Sequence, residues 1–272
     1  SSSCAAGPES MALYAVCSAK GSPGVTTLVA AMAMAWDRPV VMADLDAGGG
    51  YLALRYRDER GRPLDQDLGL VSLAALSRRS TTTTPIDPHL QVPLGGPPIL
   101  VGVARPEQVG ALGPAWGPLA QSLAAYEGDV LADCGRITAG AAVTPVLAAA
   151  DVLVFVVRPT MEELYHLRER LGGLAEQVGS RDIIGRRIAV AVIGSDRNRT
   201  VAADVQRLLD ASGSGATVVG MFVEDAKGAL RLRYDLASLP ARSVVLRSAH
   251  AVGARVRALA GHDPALQGEG QA

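Results

Sequence analysis

Residues Lys20-Gly21-Ser22-Pro23-Gly24-Val25-Thr26-Thr27 have the composition of a loop that wraps a phosphate. Glycines let the main chain curl until successive N–H groups face one anion, a hydroxyl at the start of the next helix reaches Mg²⁺, and an ammonium group neutralises charge. The spacing departs from the common G-x-x-x-x-G-K-[ST] form. Val25 stands where that form carries its lysine, and Lys20 comes five residues earlier. Gly21 and Gly24 supply the freedom to turn, and Thr26 falls at the hydroxyl position. Taken alone, the stretch also suits an ordinary strand-to-helix turn. Two further acidic stretches argue for more: Asp44-Leu45-Asp46, followed by Gly48-Gly49-Gly50, and Asp133 in V-L-A-D-C-G. Each sits at the end of an apolar run. A phosphate loop needs carboxylates at such places, to hold Mg²⁺ through water and to orient an attacking water.

Short apolar runs alternate with helical stretches and would position these groups. Strands are expected over Ala12 to Cys17, Pro39 to Asp44, Pro98 to Val103, Asp129 to Asp133, Asp151 to Val157, Arg187 to Ile193 and Ala216 to Phe222. Helices are expected over Thr27 to Trp36, Gly69 to Arg78, Glu162 to Val178, Thr200 to Ala211 and Arg242 to Ala260, with an interrupted helical region from Pro106 to Tyr126. Continuous apolar strands separated by helices predict an α/β fold: a mostly parallel, doubly wound sheet with helices on both faces. Ligands of such sheets bind beyond the carboxyl ends of the strands, where the loop and the acids fall. Arg55 to Pro98, with its charged run R-Y-R-D-E-R and its T-T-T-T-P, reads as surface loops within one domain.

Composition narrows the function. The chain has 272 residues, 49 % of them hydrophobic and only 4 % aromatic, with a net charge of −1. That describes an aliphatic core and no global field to recruit nucleic acid or anionic lipid. Cys4, Cys17 and Cys134 are too few and scattered for a disulfide framework, which fits a reducing cytosol. The histidines show no metal-ligand spacing. No apolar run approaches the roughly 18 residues needed to span a bilayer. Residues 1–10 lack the basic start and apolar body of a signal peptide and read as a leader or cloning remnant, with Met11 as the natural start. Residues 11–261 read as a single domain and residues 262–272 as a flexible polar tail.

The order of these motifs resembles the ParA/MinD family of deviant P-loop ATPases, including its CpaE-like branch linked to pilus assembly. That family's loop runs K-G-G-x-G-K-[ST]-[ST], with an extra signature lysine at its start. Lys20 matches the signature lysine, and Gly21, Gly24, Thr26 and Thr27 match their counterparts. V-V-M-A-D-L-D-A-G-G-G resembles the family's switch I segment, V-L-A-D-C-G its switch II start, and G-M-F-V-E-D-A-K-G-A-L its late base-side segment, with Asp225 in place. The resemblance implies catalytic roles for Lys20 and Asp46. It implies nucleotide contacts from Gly21, Ser22, Gly24, Val25, Thr26, Thr27 and Asp225, and Mg²⁺ held by Thr26, Asp44 and Asp133. It implies ATP as the nucleotide and a homodimer, the signature lysine reaching the partner copy's phosphates. It further implies a cytoplasmic protein that acts on a protein partner, on DNA without sequence preference, or on a membrane-associated complex.

The departures from the family pattern carry as much weight. Val25 replaces the P-loop lysine, Ser22 a glycine, and Val223 a proline, while V-I-G-S-D-R-N departs from the Asn-containing motif that reads adenine. A lysine on a polyphosphate is a charge-assisted contact commonly worth ~1.5–3 kcal/mol. Phosphoryl transfer depends on positioning and charge neutralisation, so its loss should weaken binding and impair hydrolysis still more. The expectation is a weak ATPase, or a pseudo-ATPase scaffold that dimerises without nucleotide. Arg242, Arg247, Arg255 and Arg257 on the last helix suit either a DNA or membrane face or plain packing on the sheet. Cys17 and Cys134, near strand ends, read as small buried residues. Glu162 and Glu163 read as first-turn charges favoured by the helix dipole.

Overall fold

The computed structural model describes residues 11–79, 82–178, 187–195 and 200–261. The leader 1–10, the tail 262–272 and the Asp196–Asn198 part of the adenine-reading segment lie outside the described residues. Among those described, eight strands form one sheet: β1 (Leu13–Ser18), β2 (Val40–Asp44), β3 (Leu90–Gln91), β4 (Ile99–Leu100), β5 (Asp129–Arg136), β6 (Val152–Val157), β7 (Arg187–Gly194) and β8 (Thr217–Val223). Their order is β3-β4-β2-β5-β1-β6-β7-β8, parallel except where β3 pairs with β4. The helices are α1 (Val25–Met34), α2 (Leu52–Arg55), α3 (Leu70–Ser77), α4 (Pro106–Leu112), α5 (Trp116–Ala124), α6 (Thr144–Ala149), α7 (Met161–Val178), α8 (Val201–Ala211), α9 (Ala226–Tyr234) and α10 (Val244–Leu259).

The strands are apolar without alternation because both faces are covered. Leu13, Ala15 and Cys17 of β1 pack on one side with Leu119 of α5, Leu167 of α7 and Val205 of α8. Tyr14 and Val16 pack on the other with Leu28 of α1, Leu232 of α9 and Val252 of α10. Residues alternate in direction along a strand, so a central strand feeds two cores and must be apolar at every position. β1 lies in mid-sheet between β5 and β6. The chain leaves it toward β2 on one side and later builds β6 to β8 on the other, which opens a crevice at its carboxyl end.

At the opposite, amino-terminal edge, Asp129 ties the sheet together. Its carboxylate accepts from the Ala12 N–H at 3.1 Å, Trp36 Nε1 at 2.6 Å, and Arg38 Nε and Nη2 at 2.7 and 2.8 Å. α10 packs on the sheet through Val245, Ala249, Val252 and Val256, as the plain-packing reading of this helix expected. Arg257 lies over the Trp36 ring at 4.8 Å and pairs with Asp37, and Arg255 donates to the Val219 carbonyl.

The expected strand Pro98 to Val103 is cut to Ile99–Leu100. Beyond it, the Val101 and Val103 carbonyls accept from the Leu70 and Gly50 N–H groups at 2.8 and 2.7 Å, so the main chain serves two glycine turns instead of a ladder. The region Pro106 to Tyr126 divides into α4 and α5 around a 3₁₀ turn over Gly113–Ala115. α2, α6 and α9 were not expected from the sequence, and α2 falls in the region read as loops.

Candidate functional site

The chain leaving β1 curls back through Gly21 and Gly24 before α1 begins at Val25. Their φ angles of +67° and +115° lie in the left-handed region that a side chain rarely enters, so these glycines make the turn possible. Gly24 then accepts the first bond of α1, from the Leu28 N–H at 2.9 Å. A cavity of about 650 Å³ opens above this turn, lined by Gly21, Ser22, Gly24, Val25, Thr26 and Thr27 on the loop side. Its floor faces the strand tips, and Asp46 lines it with Gly48 and Gly135.

The acids gather where their strands predict. Asp44 of β2 and Asp133 of β5 are register partners on adjacent parallel strands, and Val16 of β1 lies level with Asp133. Glycines allow the crowding. A Cβ at Gly50 would stand 2.1 Å from Asp44 Oδ2, and one at Gly135 would stand 2.3 Å from Asp46 Oδ1. The Gly48 N–H donates to Asp46 Oδ1 at 2.8 Å, and the Gly135 N–H to Asp133 Oδ1 at 3.0 Å. Asp44 and Asp133 are buried, at 3 % and 2 % exposure, so they form the floor beneath the cavity rather than its surface.

Burial raises both carboxyl pKa values. For Asp44 the charges of Asp133 and Asp46 push further in the same direction, against N–H bonds from Asp46 and Leu52. For Asp133 the Thr26 hydroxyl and the Gly135 N–H oppose the rise, with Arg55 pulling the same way. Two neighbouring acids in a dry floor disfavour their own ionisation, and a divalent cation reverses that preference. The oxygen donors gathered here suit Mg²⁺, which keeps most of its waters and takes one or two protein oxygens beside phosphate. Thr26, bonded to Asp133, is placed to contribute one such oxygen. Among the described residues no three acidic, histidine or cysteine side chains form an ion cage by themselves. The set therefore fits a cation brought in with a phosphate ligand.

Asp225, expected at the nucleotide, does not line this cavity. It caps α9, its carboxylate accepting from the Gly228 N–H at 2.9 Å, and it lines an adjoining cavity of about 480 Å³ with Pro23, Arg158 and Phe222. Lys20 is exposed and lies outside the lining of either cavity. Glu163 does more than answer a helix dipole. It accepts from the Arg158 N–H at 2.7 Å, and its other oxygen lies 3.5 Å from where a Gly21 Cβ would be. Cys17 and Cys134 are buried free thiols, as expected, with pKa values raised by burial.

Sequence reasoning missed the far wall. Arg55 and Tyr56 at the end of α2, Arg136 at the tip of β5, and Leu232 and Arg233 of α9 all line the main cavity. The Tyr56 hydroxyl donates to the Leu232 carbonyl at 2.7 Å inside the protein, joining α2 to α9 across 176 positions of sequence. The available signal was slight: an Asp225 cap ahead of A-K-G-A-L-R-L-R-Y, and a charged run after switch I that reads as solvated.

Fold and site together give a mostly parallel α/β sheet in which a glycine turn on a central strand lies beside acids at neighbouring strand tips. No family model matches the sequence, and no curated protein matches it. Solved structures match in fold. A ParA family ATPase from Chlorobium tepidum superposes with a TM-score of 0.69 at 17 % identity, covering 90 % of this chain and 98 % of that one. MinD from Pyrococcus horikoshii, complexed with Mg-ADP, gives 0.68 at 17 %, covering 94 % and 100 %. The MinC:MinD cell division complex of Aquifex aeolicus gives 0.60 at 19 %, covering 91 % and 96 %. The chain has the ParA/MinD fold.

Proposed function

We propose that this protein is a ParA/MinD-like nucleotide-binding switch that takes Mg-ATP weakly and hydrolyses it slowly or not at all. The observation that carries the reading is the cavity itself. Gly21, Ser22 and Gly24 to Thr27 line one space with Asp46, above the buried Asp44 and Asp133, and Val25 lines it where a lysine would meet phosphate. In this reading the amides of Gly21, Ser22 and Gly24 to Thr27 cradle the phosphates, Pro23 having none to give, Thr26 with Asp44 and Asp133 holds Mg²⁺, and Asp46 orients water. Mg²⁺ supplies charge neutralisation at the phosphate oxygens. The adjoining cavity at Asp225 takes the base.

Homodimer formation has two supports. Lys20 stands exposed outside its own cavity and makes no hydrogen bond or ion pair among the described residues, which leaves it free for the phosphates of a second copy. Tyr51, which caps α2, Leu54 of α2, and Leu230 and Tyr234 of α9 are all more than half exposed on the elements that frame the mouth. In function the protein would position or regulate a partner complex in division, partitioning or pilus and secretion assembly. It would act in the cytoplasm, where its free thiols persist, and meet the membrane through a partner. No helix among the described residues is long and apolar enough to cross a membrane.

Calorimetry with Mg-ATP tests the binding. A sub-millimolar to millimolar Kd is expected, and a flat titration at millimolar nucleotide removes the reading. Phosphate release near the rate of enzymes with a complete loop removes the impaired-hydrolysis half. The second reading, a scaffold that dimerises without nucleotide, is favoured by Val25 alone. Equal elution volumes with and without Mg-ATP, both at dimer size, would establish it.

A further inference from the structure

The main cavity has acids below and, on its far wall, three arginines: Arg55, Arg136 and Arg233. Elsewhere the chain pairs such groups, as Arg38 with Asp129, Arg158 with Glu224 and Arg257 with Asp37. Arg55 and Arg233 have no carboxylate within ion-pair distance among the described residues. Each guanidinium instead rests against an aromatic ring of its own helix region. Arg55 Cζ lies 5.8 Å from the Tyr51 centroid and Arg233 Cζ lies 5.2 Å from that of Tyr234. Arg55 is half-buried, and its charge acts on Asp133 across the cavity floor. The bond from Tyr56 to Leu232 fixes the residues next in sequence to both arginines, so the two charges are held on one wall.

Unpaired cations that line one cavity with a glycine turn define a place for multiple negative charge. We propose that Arg55 and Arg233 are phosphate-binding residues that take over the task of the lysine missing at position 25. The polyphosphate is then gripped between the glycine loop on one wall and the joined α2 and α9 on the other. This rests on the nucleotide reading above and adds which residues supply the charge. It also sets a ligand preference. A guanidinium pair on the far wall reaches the end of a phosphate chain, so affinity should grow steeply from mono- to triphosphate. Arg suits the role because its planar fork donates two bonds to phosphate oxygens and keeps its charge at every working pH.

The test is calorimetry in Mg²⁺ buffer with AMP, ATP and inorganic tripolyphosphate. Arg55→Ala and Arg233→Ala should each weaken ATP and tripolyphosphate by about tenfold or more, the loss of one charge-assisted contact. AMP should change by no more than about twofold. Val25→Lys placed in the double variant should recover most of the loss, since it restores the charge from the other wall. Arg231→Ala, two residues away on α9 and outside the cavity lining, should bind as the unchanged protein does. A double variant that binds ATP within about twofold of the unchanged protein overturns the assignment while leaving the nucleotide reading intact. So does an Arg231→Ala loss as large as that of Arg55→Ala, which would make the effect one of general field. Arg55→Lys and Arg233→Lys guard against misfolding: they should melt at the parent temperature and lose less than the alanine variants, and equal losses with lowered Tm sink the assignment. An unchanged protein that binds neither ATP nor tripolyphosphate defeats the underlying reading and this one with it.

Discussion

Asp44 shows how a buried charge can be a cost in the empty protein and an asset in the loaded one. Its carboxyl is pushed from the ordinary 3.8 up to about 8, by burial first and then by the Asp133 and Asp46 charges. A raised folded-state pKa means that the native chain holds the proton more tightly than the unfolded chain. The stability it contributes is complete in acid and is lost as pH climbs through the interval from 3.8 toward 8. Urea unfolding of the ligand-free protein should therefore show falling stability across that interval. Asp44→Asn should make the slope shallower, leaving the share due to Asp133, and raise stability at pH 8 by more than ~1 kcal/mol, since one pKa unit is worth about that. Millimolar Mg²⁺ with nucleotide should make it shallower in the unchanged protein. A slope undiminished in Asp44→Asn assigns the titration to another group. Position 25 is the converse case in the proposed reading, an isopropyl group where a phosphate loop would call for charge. The turn beside it was legible from spacing alone, because it is a local structure whose glycines must fall where left-handed φ is required.

At the scale of elements, the strands and the order of their tips were legible, and the walls that close the site were not. β1, β2, β5 and β6 are covered on both faces, so their sequences are apolar throughout and announce themselves. α2 has four residues, too few for a periodic apolar stripe, and α9 buries only Gly228 and Leu232 of its nine, so both owe their place to contacts distant in sequence. Tyr56→Phe tests that dependence. It removes one buried hydrogen bond and leaves the Leu232 carbonyl without its partner, so unfolding free energy should fall by ~1–2 kcal/mol and amide exchange should quicken in α2 and α9. Unchanged exchange there would show that apolar packing alone holds the pair. Asp129→Ala acts at the other end of the sheet. It removes two bonds from the Arg38 guanidinium and leaves Trp36 Nε1 and the Ala12 N–H without their acceptor, for an expected loss of ~1–3 kcal/mol with the cavity untouched. A loss under ~1 kcal/mol would mean that water repairs the node.

For the whole molecule, the apolar groups around the mouth set the terms of association. Leu54 and Leu230 are 51 % and 60 % exposed and bear little of the fold. Leu54→Glu with Leu230→Glu should leave unfolding free energy within ~0.5 kcal/mol of the parent, as exposed substitutions usually do, yet keep the chain monomeric in Mg-ATP by light scattering. A dimer that persists in this variant places the interface elsewhere. The cavity lining begins at Ser18 and ends at Arg233, so it draws on nearly the full described length of chain. That breadth has a consequence for synthesis. A ribosome-bound chain still short of α9 has the glycine turn and the strand tips but only an open trough above them, since Leu232 has not yet met Tyr56. If the cavity takes nucleotide as proposed, capture would require a polypeptide long enough to have made and docked α9.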